Sequence, residues 1–295
     1  MIRIFAAILV VMVFLGCESQ PTRPMLVSTN LWIGYSPLYY AQKKGWLRQN
    51  NIKLVQTISL GESFKTFESG AVDMLCGTQY EIKKASKSYE NSGGIIMFNR
   101  SDGGDKILSN FSIEELKSKE KIDLYLEVES INSVLFEHFM QKYALSKKQI
   151  NFINKTPDIS SKLHMRTSPT VIVTYSPYNE NLEKQGYKEI SSAKDSNLFV
   201  LDAAYAPPKT MKQFPREVDR LNFLIAKSLK DLESKPKEYF KLINSEFNFD
   251  SYEEFKIALS SIEWIYDNYS EVINKRAKIT NTEVLKLIKP YKMEK

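Results

Sequence analysis

The chain has 295 residues, with 41 Lys and Arg against 35 Asp and Glu, a formal charge of +6 and only two histidines. The basic residues are interleaved with acids, as in KSKEK, REVDR and KPKEY, and none cluster with aromatics, which argues against a nucleic-acid groove. The length exceeds one ordinary core and predicts two lobes.

Met1 to Gly16 carries one charge, Arg3, then an apolar run from Ile4 to Leu15, then Gly16-Cys17. A short basic region, a hydrophobic region and a small residue at the cut form a secretory signal over residues 1–16. The run is short of the roughly 20 residues of a comfortable membrane span. Phe14-Leu15-Gly16-Cys17 resembles the bacterial lipobox, with Phe where Leu is usual, and this implies lipidation at Cys17. The polar stretch that follows, residues 17–24 with two prolines, suits a tether. After lipidation only Cys76 remains, so neither a disulfide nor a cysteine metal cluster is expected.

From Leu26 the pattern alternates strand and helix. Leu26 to Ile33 reads as a strand. Gly34 and Pro37 punctuate an aromatic turn, and a helix from Leu38 to about Arg48 follows. Ile52 to Ser59 is a second strand and Phe64 to Ser69 a helix opened by Gly61-Glu62-Ser63. Ala71 to Cys76 is a buried strand, Tyr80 to Tyr89 a helix, and Gly94 to Phe98 a fourth strand. This order predicts a parallel sheet covered by helices.

Three motifs in this order, WIGYSPLYYAQKKGWL, LGESFKTFESGAVDML and RSDGGDKIL, carry a family likeness. The chain resembles the periplasmic substrate-binding proteins of the nitrate, sulfonate, taurine and thiamine-pyrimidine group served by ABC transporters. The resemblance implies a type II periplasmic binding fold. Each lobe is then a mainly parallel α/β sheet flanked by helices, and two hinge crossings join the lobes. It also implies a non-enzymatic, monomeric protein on the periplasmic face of a bacterial membrane, with a small molecule and an ABC permease as partners. The motifs are strongest over the first eighty residues. Gly104 stands where Ala is common, and the segment after Ile150 is shorter than in relatives.

The rest of the chain reads consistently with two lobes. Ser112 with Glu115 forms a capping box before a helix from Ile113 to Ser118. Ile122 to Leu126 is a strand, Ser130 caps a helix from Ile131 to Tyr143, and Ile150 to Asn154 is a strand. Asp158 to Met165 is a short helix and Pro169 to Thr174 a buried strand. A helix then ends near Gly186, and Tyr187 to Ser191 is an edge strand. Leu198 to Ala203 returns to the first lobe. Everything from Phe214 on is read as helical, through SYEEFKIALSSIEW and TNTEVLKLIKPY. Lobe one is therefore residues 25–106 and 196–295, and lobe two residues 107–195. The crossings fall near Asn99 to Lys106 and Ala193 to Leu198, where Gly103 and Gly104 can absorb hinge motion.

The turns after strands supply the expected cleft. In lobe one these are Trp32, Tyr35, Ser36 and Tyr39, then Gly61, Glu62 and Ser63, then Thr78 and Gln79. Ser101 and Asp102 lie at the crossing. In lobe two they are Glu127, Ser130 and Asn132, then Tyr175, Ser176 and Tyr178. Few cations are present, with Arg100 and Lys106 the nearest, whereas Glu62, Glu127 and Asp102 are carboxylates among aromatics. That chemistry favours a cationic or planar nitrogenous ligand over a small hard anion, which would want converging donors. A sulfonate or nitrate-type anion remains the alternative. His138 and His164 sit in no catalytic motif, and no nucleophile elbow, metalloprotease motif or phosphate loop occurs. No cofactor, metal, catalytic residue or nucleic-acid partner is expected. The sequence leaves open delivery to an importer or docking on a membrane signalling receptor, since both use the same cleft.

Overall fold

A computed structural model describes residues 23–266 and 285–289. The secretory signal, Cys17 and most of the tether lie outside the described residues.

The chain opens with β1 (Met25–Thr29), a single 3₁₀ turn at Ile33–Tyr35, and α1 (Ser36–Lys43) with Pro37 in its first turn. The single helix expected here is broken: Gly45 takes φ +75°, a left-handed conformation suited to glycine, and α2 (Trp46–Gln49) restarts after it. Next come β2 (Ile52–Gln56), α3 (Leu60–Glu68), β3 (Met74–Thr78), α4 (Gln79–Lys87) and β4 (Gly93–Ser101). The second lobe holds β5 (Asp105–Ser109), α5 (Ile113–Lys117), β6 (Ile122–Leu126), α6 (Ile131–Tyr143), β7 (Ile150–Asn154), α7 (Pro157–Ser160), β8 (Thr170–Tyr175), α8 (Tyr178–Lys184) and β9 (Lys188–Ser192). The chain returns through β10 (Val200–Ala206) and closes with α9 (Pro208–Gln213), α10 (Pro215–Ser234), α11 (Pro236–Phe247), α12 (Tyr252–Ser260), β11 (Ile262–Trp264) and β12 (Leu285–Leu287).

The first sheet runs β11-β4-β10-β3-β1-β2, with β12 also on β4; the second runs β7-β6-β8-β5-β9. Both are mixed. β1 pairs in parallel with β2 and β3, but β10 comes back from the second lobe and inserts antiparallel between β3 and β4. Likewise β6 is parallel to β7 and β8, while β5 is antiparallel to β8 and β9. The purely parallel pairing expected for the first four strands is corrected by that insertion. β4 keeps the expected direction but has β10, not β3, as its neighbour.

The central strands are apolar runs because both faces are covered: every residue of β3, β8 and β10 is buried. Edge strand β2 alternates instead. The helical reading of the C-terminal part holds through α12 and fails at two segments beyond it, while residues 267–284 and 290–295 lie outside the described residues. Ile262–Trp264 and Leu285–Leu287 are strands, and they take the two halves of the otherwise open edge of β4. An unpaired strand edge offers backbone partners that override weak helical patterning.

The helices after β10 build the back of lobe one. α10 and α11 pack on α1. The Tyr40 and Tyr239 rings stack with centroids 4.3 Å apart, the Tyr40 hydroxyl donates to Asp231 at 2.9 Å, and the Tyr239 hydroxyl donates to Ser36 Oγ at 3.2 Å. β4 runs into β5 through the turn at residues 102–104, and β9 runs into β10 through residues 193–199. The two lobes are therefore joined twice, and the carboxyl ends of β1, β3, β6 and β8 meet at the seam between them.

Candidate functional site

Three hydrogen bonds join the strand and helix ends across the seam. Asn30, just past β1, donates from Nδ2 to the Tyr175 hydroxyl at the end of β8, 2.9 Å away. The Gly61 amide in the first turn of α3 donates to Glu127 Oε1 at 2.9 Å. The Ile131 amide at the start of α6 donates to Glu81 Oε1 at 3.1 Å. Aromatic rings fill the space beside them. Trp32 meets Tyr175 edge-on with centroids 5.8 Å apart, and Tyr175 meets Tyr178 edge-on at 5.5 Å. Gly104 lets the crossing lie against the Trp32 ring, since a Cβ there would overlap that ring.

Among the described residues the buried charged side chains are Glu81, Asp105, Glu127, Asp202 and Glu217, all acids. Four of them lie along the seam. Burial pushes the Glu81 carboxyl up to about 7 and the Asp105 carboxyl up to about 6. Glu127 is also raised by burial. Asp202 is held well above the carboxylate range, first by burial and then by the nearby charge of Asp105. Its two oxygens accept from Trp32 Nε1 and from the Tyr35 hydroxyl, each at 3.0 Å.

Several buried polar atoms at the seam lack a protein partner: Asn30 Oδ1, Glu127 Oε2, Thr174 Oγ1, and both Oδ1 and Nδ2 of Asn132. A buried polar group without a hydrogen bond costs on the order of 1–3 kcal/mol, so a cluster of them marks a place for a ligand or water. Glu127 sits in a constrained corner. Glu129, two residues on, has φ +61°, and the Ser130 hydroxyl donates to the Glu127 carbonyl at 2.9 Å while accepting from the Asn132 amide. Non-glycine residues in the left-handed region are uncommon and collect at functional turns.

The expected site residues divide into two groups. Trp32, Gly61, Glu127, Ser130, Asn132, Tyr175 and Tyr178 come together at the seam. The others are tied down locally. Tyr35 reaches Asp202 and packs edge-on against Phe98. The Tyr39 hydroxyl donates to the Asn30 carbonyl at 3.0 Å, with its ring on Phe247. Ser36 accepts from Tyr239. Glu62 Oε2 accepts from the Ile58 amide at 2.6 Å, and Ser63 bonds Thr57 at 2.5 Å. Thr78 caps α4 together with Glu81, and the Gln79 side-chain amide donates to the Phe199 carbonyl of the return crossing and accepts from the Leu201 amide of β10. Ser101 accepts from the Asp105 amide. Asp102 pairs with Arg100 and, from the other crossing, with Lys194, each at 3.1 Å, and so clasps the hinge. Ser176, whose peptide bond to Pro177 is cis, donates to Glu180.

Four seam residues outside the expected set also matter: Asn30, Glu81, Asp105 and Asp202. Asp202 was visible as a lone acid inside the apolar run LFVLDAA. Glu81 was visible as the capping-box partner of Thr78, but nothing local shows its second bond to the other lobe. Beside the seam, between α8 and the end of α11, lies a cavity of about 280 Å³ lined in part by Tyr178, Glu180, Lys184, Glu246 and Asp250. Lys184 crosses it to Asp250 at 2.6 Å and Glu254 at 3.2 Å.

No family model matches the sequence, and no curated protein matches it. Solved structures do. The alkanesulfonate-binding protein SsuA from Xanthomonas axonopodis pv. citri, bound to MOPS, superposes with a TM-score of 0.72 at 12% identity, over 88% of this chain and 91% of that one. The periplasmic nitrate-binding protein NrtA from Synechocystis PCC 6803 gives 0.58 at 13% identity, over 80% and 70%. A Candida albicans protein described as having the generic periplasmic binding protein fold gives 0.61 at 11% identity, over 92% and 98%. The chain has the two-lobed periplasmic binding protein fold, as the sequence motifs implied.

Proposed function

We propose that this protein is the solute-binding component of an ABC importer, held at the periplasmic face of a bacterial membrane by lipid on Cys17. It captures a small cationic or nitrogen-rich molecule between its lobes. The observation that carries the ligand class is the set of acids buried at the seam. Glu81, Asp105, Glu127 and Asp202 are buried there, with no buried Lys, Arg or His among the described residues. Enclosed carboxylates without a counter-ion are unfavourable. A ligand that brings positive charge or several N–H donors relieves them, and the faces of Trp32, Tyr175 and Tyr178 favour the same kind of group. Asn30, Asn132 and Thr174 complete the proposed contacts.

The second reading is an anionic ligand, favoured by neighbours that bind sulfonate and nitrate. It has to find its donors in backbone amides, because the seam offers no buried cation. A thermal-shift screen of the purified protein against amines, pyrimidines, sulfonates and nitrate separates the two. At 100 times its Kd a ligand adds about 2.7 kcal/mol to the folded state. The expected hit is an amine or pyrimidine, lost in Trp32→Ala and Glu127→Ala. Stabilisation by sulfonates alone overturns the ligand class while leaving the transport role standing.

A further inference from the structure

Besides their local caps Ser59 and Ser130, two helix N-termini at the seam each have a further amide bonded by a carboxylate of the opposite lobe. α3 belongs to lobe one, and its Gly61 amide is bonded by Glu127 of lobe two at 2.9 Å. α6 belongs to lobe two, and its Ile131 amide is bonded by Glu81 of lobe one at 3.1 Å. The arrangement is reciprocal. A helix N-terminus carries exposed N–H groups and partial positive charge, and so is a ready place for an anion. α3 has nine residues and α6 thirteen, long enough for that charge to count.

The surroundings are built for these caps. Gly61 has no Cβ, and one placed there would lie 2.5 Å from Glu127 Oε1. Glu81 uses Oε2 to accept from the Thr78 amide at 2.9 Å and from its hydroxyl at 2.5 Å, which leaves Oε1 for the other lobe. Ser130 and the left-handed Glu129 hold the Glu127 loop in place. Beside the caps, Asn132 is fully buried with neither polar side-chain atom bonded. A free oxyanion reaching for the Gly61 or Ile131 amide would have to displace a tethered carboxylate. It would also meet Asp105, with no buried cation among the described residues to offset it.

We propose that Glu127 and Glu81 are specificity-determining residues: they fill from within the two positions where the cleft would otherwise hold an anion, so oxyanions are shut out. This rests on the seam being the ligand site, but its readout is anion binding and not the amine screen. Titration with ethanesulfonate should give no binding heat for the unaltered protein, measurable binding for Glu127→Ala, and tighter binding when Glu81→Gln is added. Gly61→Ala, which displaces the Glu127 carboxylate without removing its charge, should gain no sulfonate affinity. Ethanesulfonate binding to the unaltered protein that is lost in Glu127→Ala, or no binding to a Glu127→Ala variant that is folded by circular dichroism, overturns the proposal. Failure of every amine in the thermal screen, with the sulfonate gain in Glu127→Ala intact, would sink only the ligand class.

Discussion

Two of the strand-to-helix turns that face the seam are used in opposite ways. The turn after β1 is crowded with aromatics, yet its hydroxyls are bonded inside lobe one. Tyr35 bonds Asp202, Tyr39 bonds the Asn30 carbonyl, and Ser36 bonds Tyr239. The turn after β6 has no aromatic side chain, yet Glu127 Oε2 and both polar atoms of Asn132 are buried without a partner. A rich aromatic motif therefore reports packing here, and the orphaned polar groups mark the proposed ligand site. Only Trp32 and Asn30 extend the first turn into the seam, through Tyr175.

The comparison breaks most visibly at Tyr35. Its ring is fully buried against Phe98, so Tyr35→Ala should lose about 3–5 kcal/mol of stability. Urea unfolding at neutral pH measures this, and affinity for any hit from the thermal screen should stay within a few-fold. A large loss of affinity with little loss of stability would move Tyr35 into the site.

The next effect is on pH. Glu81 is raised from 4.5 to about 7 by burial, and Asp105 from 3.8 to about 6. Both hold protons in the folded state that the unfolded chain has released, so stability is greatest below the ordinary carboxylate values and falls as pH rises towards 7. Between pH 5 and 8 the loss from Glu81 should be roughly 2–3 kcal/mol. Glu81→Gln should flatten that slope in denaturant titrations. An unchanged slope in the variant would mean that Glu81 does not titrate in this window.

The smallest expected change in stability sharpens the contrast. Asn132 contributes no side-chain hydrogen bond, so Asn132→Leu should shift stability by less than about 1 kcal/mol in either direction, because apolar replacement of an unpaired polar group is nearly neutral. Ligand affinity should nevertheless fall by about tenfold or more in calorimetry, a cost of roughly 1.4 kcal/mol. Unchanged affinity would show that the unpaired amide is not a ligand contact.

Much of this architecture was legible in the sequence, because strands, helices and caps are governed by short-range patterns. The apolar run PTVIVT foretold β8 as a buried strand, and Ser112 with Glu115 and Ser130 foretold two helix starts. The order of strands and helices, with the three motifs, was enough for a two-lobed α/β fold. The sequence also carried the excess of carboxylates over cations in the predicted turns. What it did not carry was partnership at a distance. The insertion of β10 between β3 and β4 depends on where the chain returns after lobe two, and the strands at Ile262–Trp264 and Leu285–Leu287 exist because β4 leaves an edge for them. The seam bonds join residues 145, 66 and 50 positions apart. No local period encodes such pairs, so only the packed structure decides that Glu127 and Glu81 cap each other's lobes and that Asn132 is left with nothing to bond.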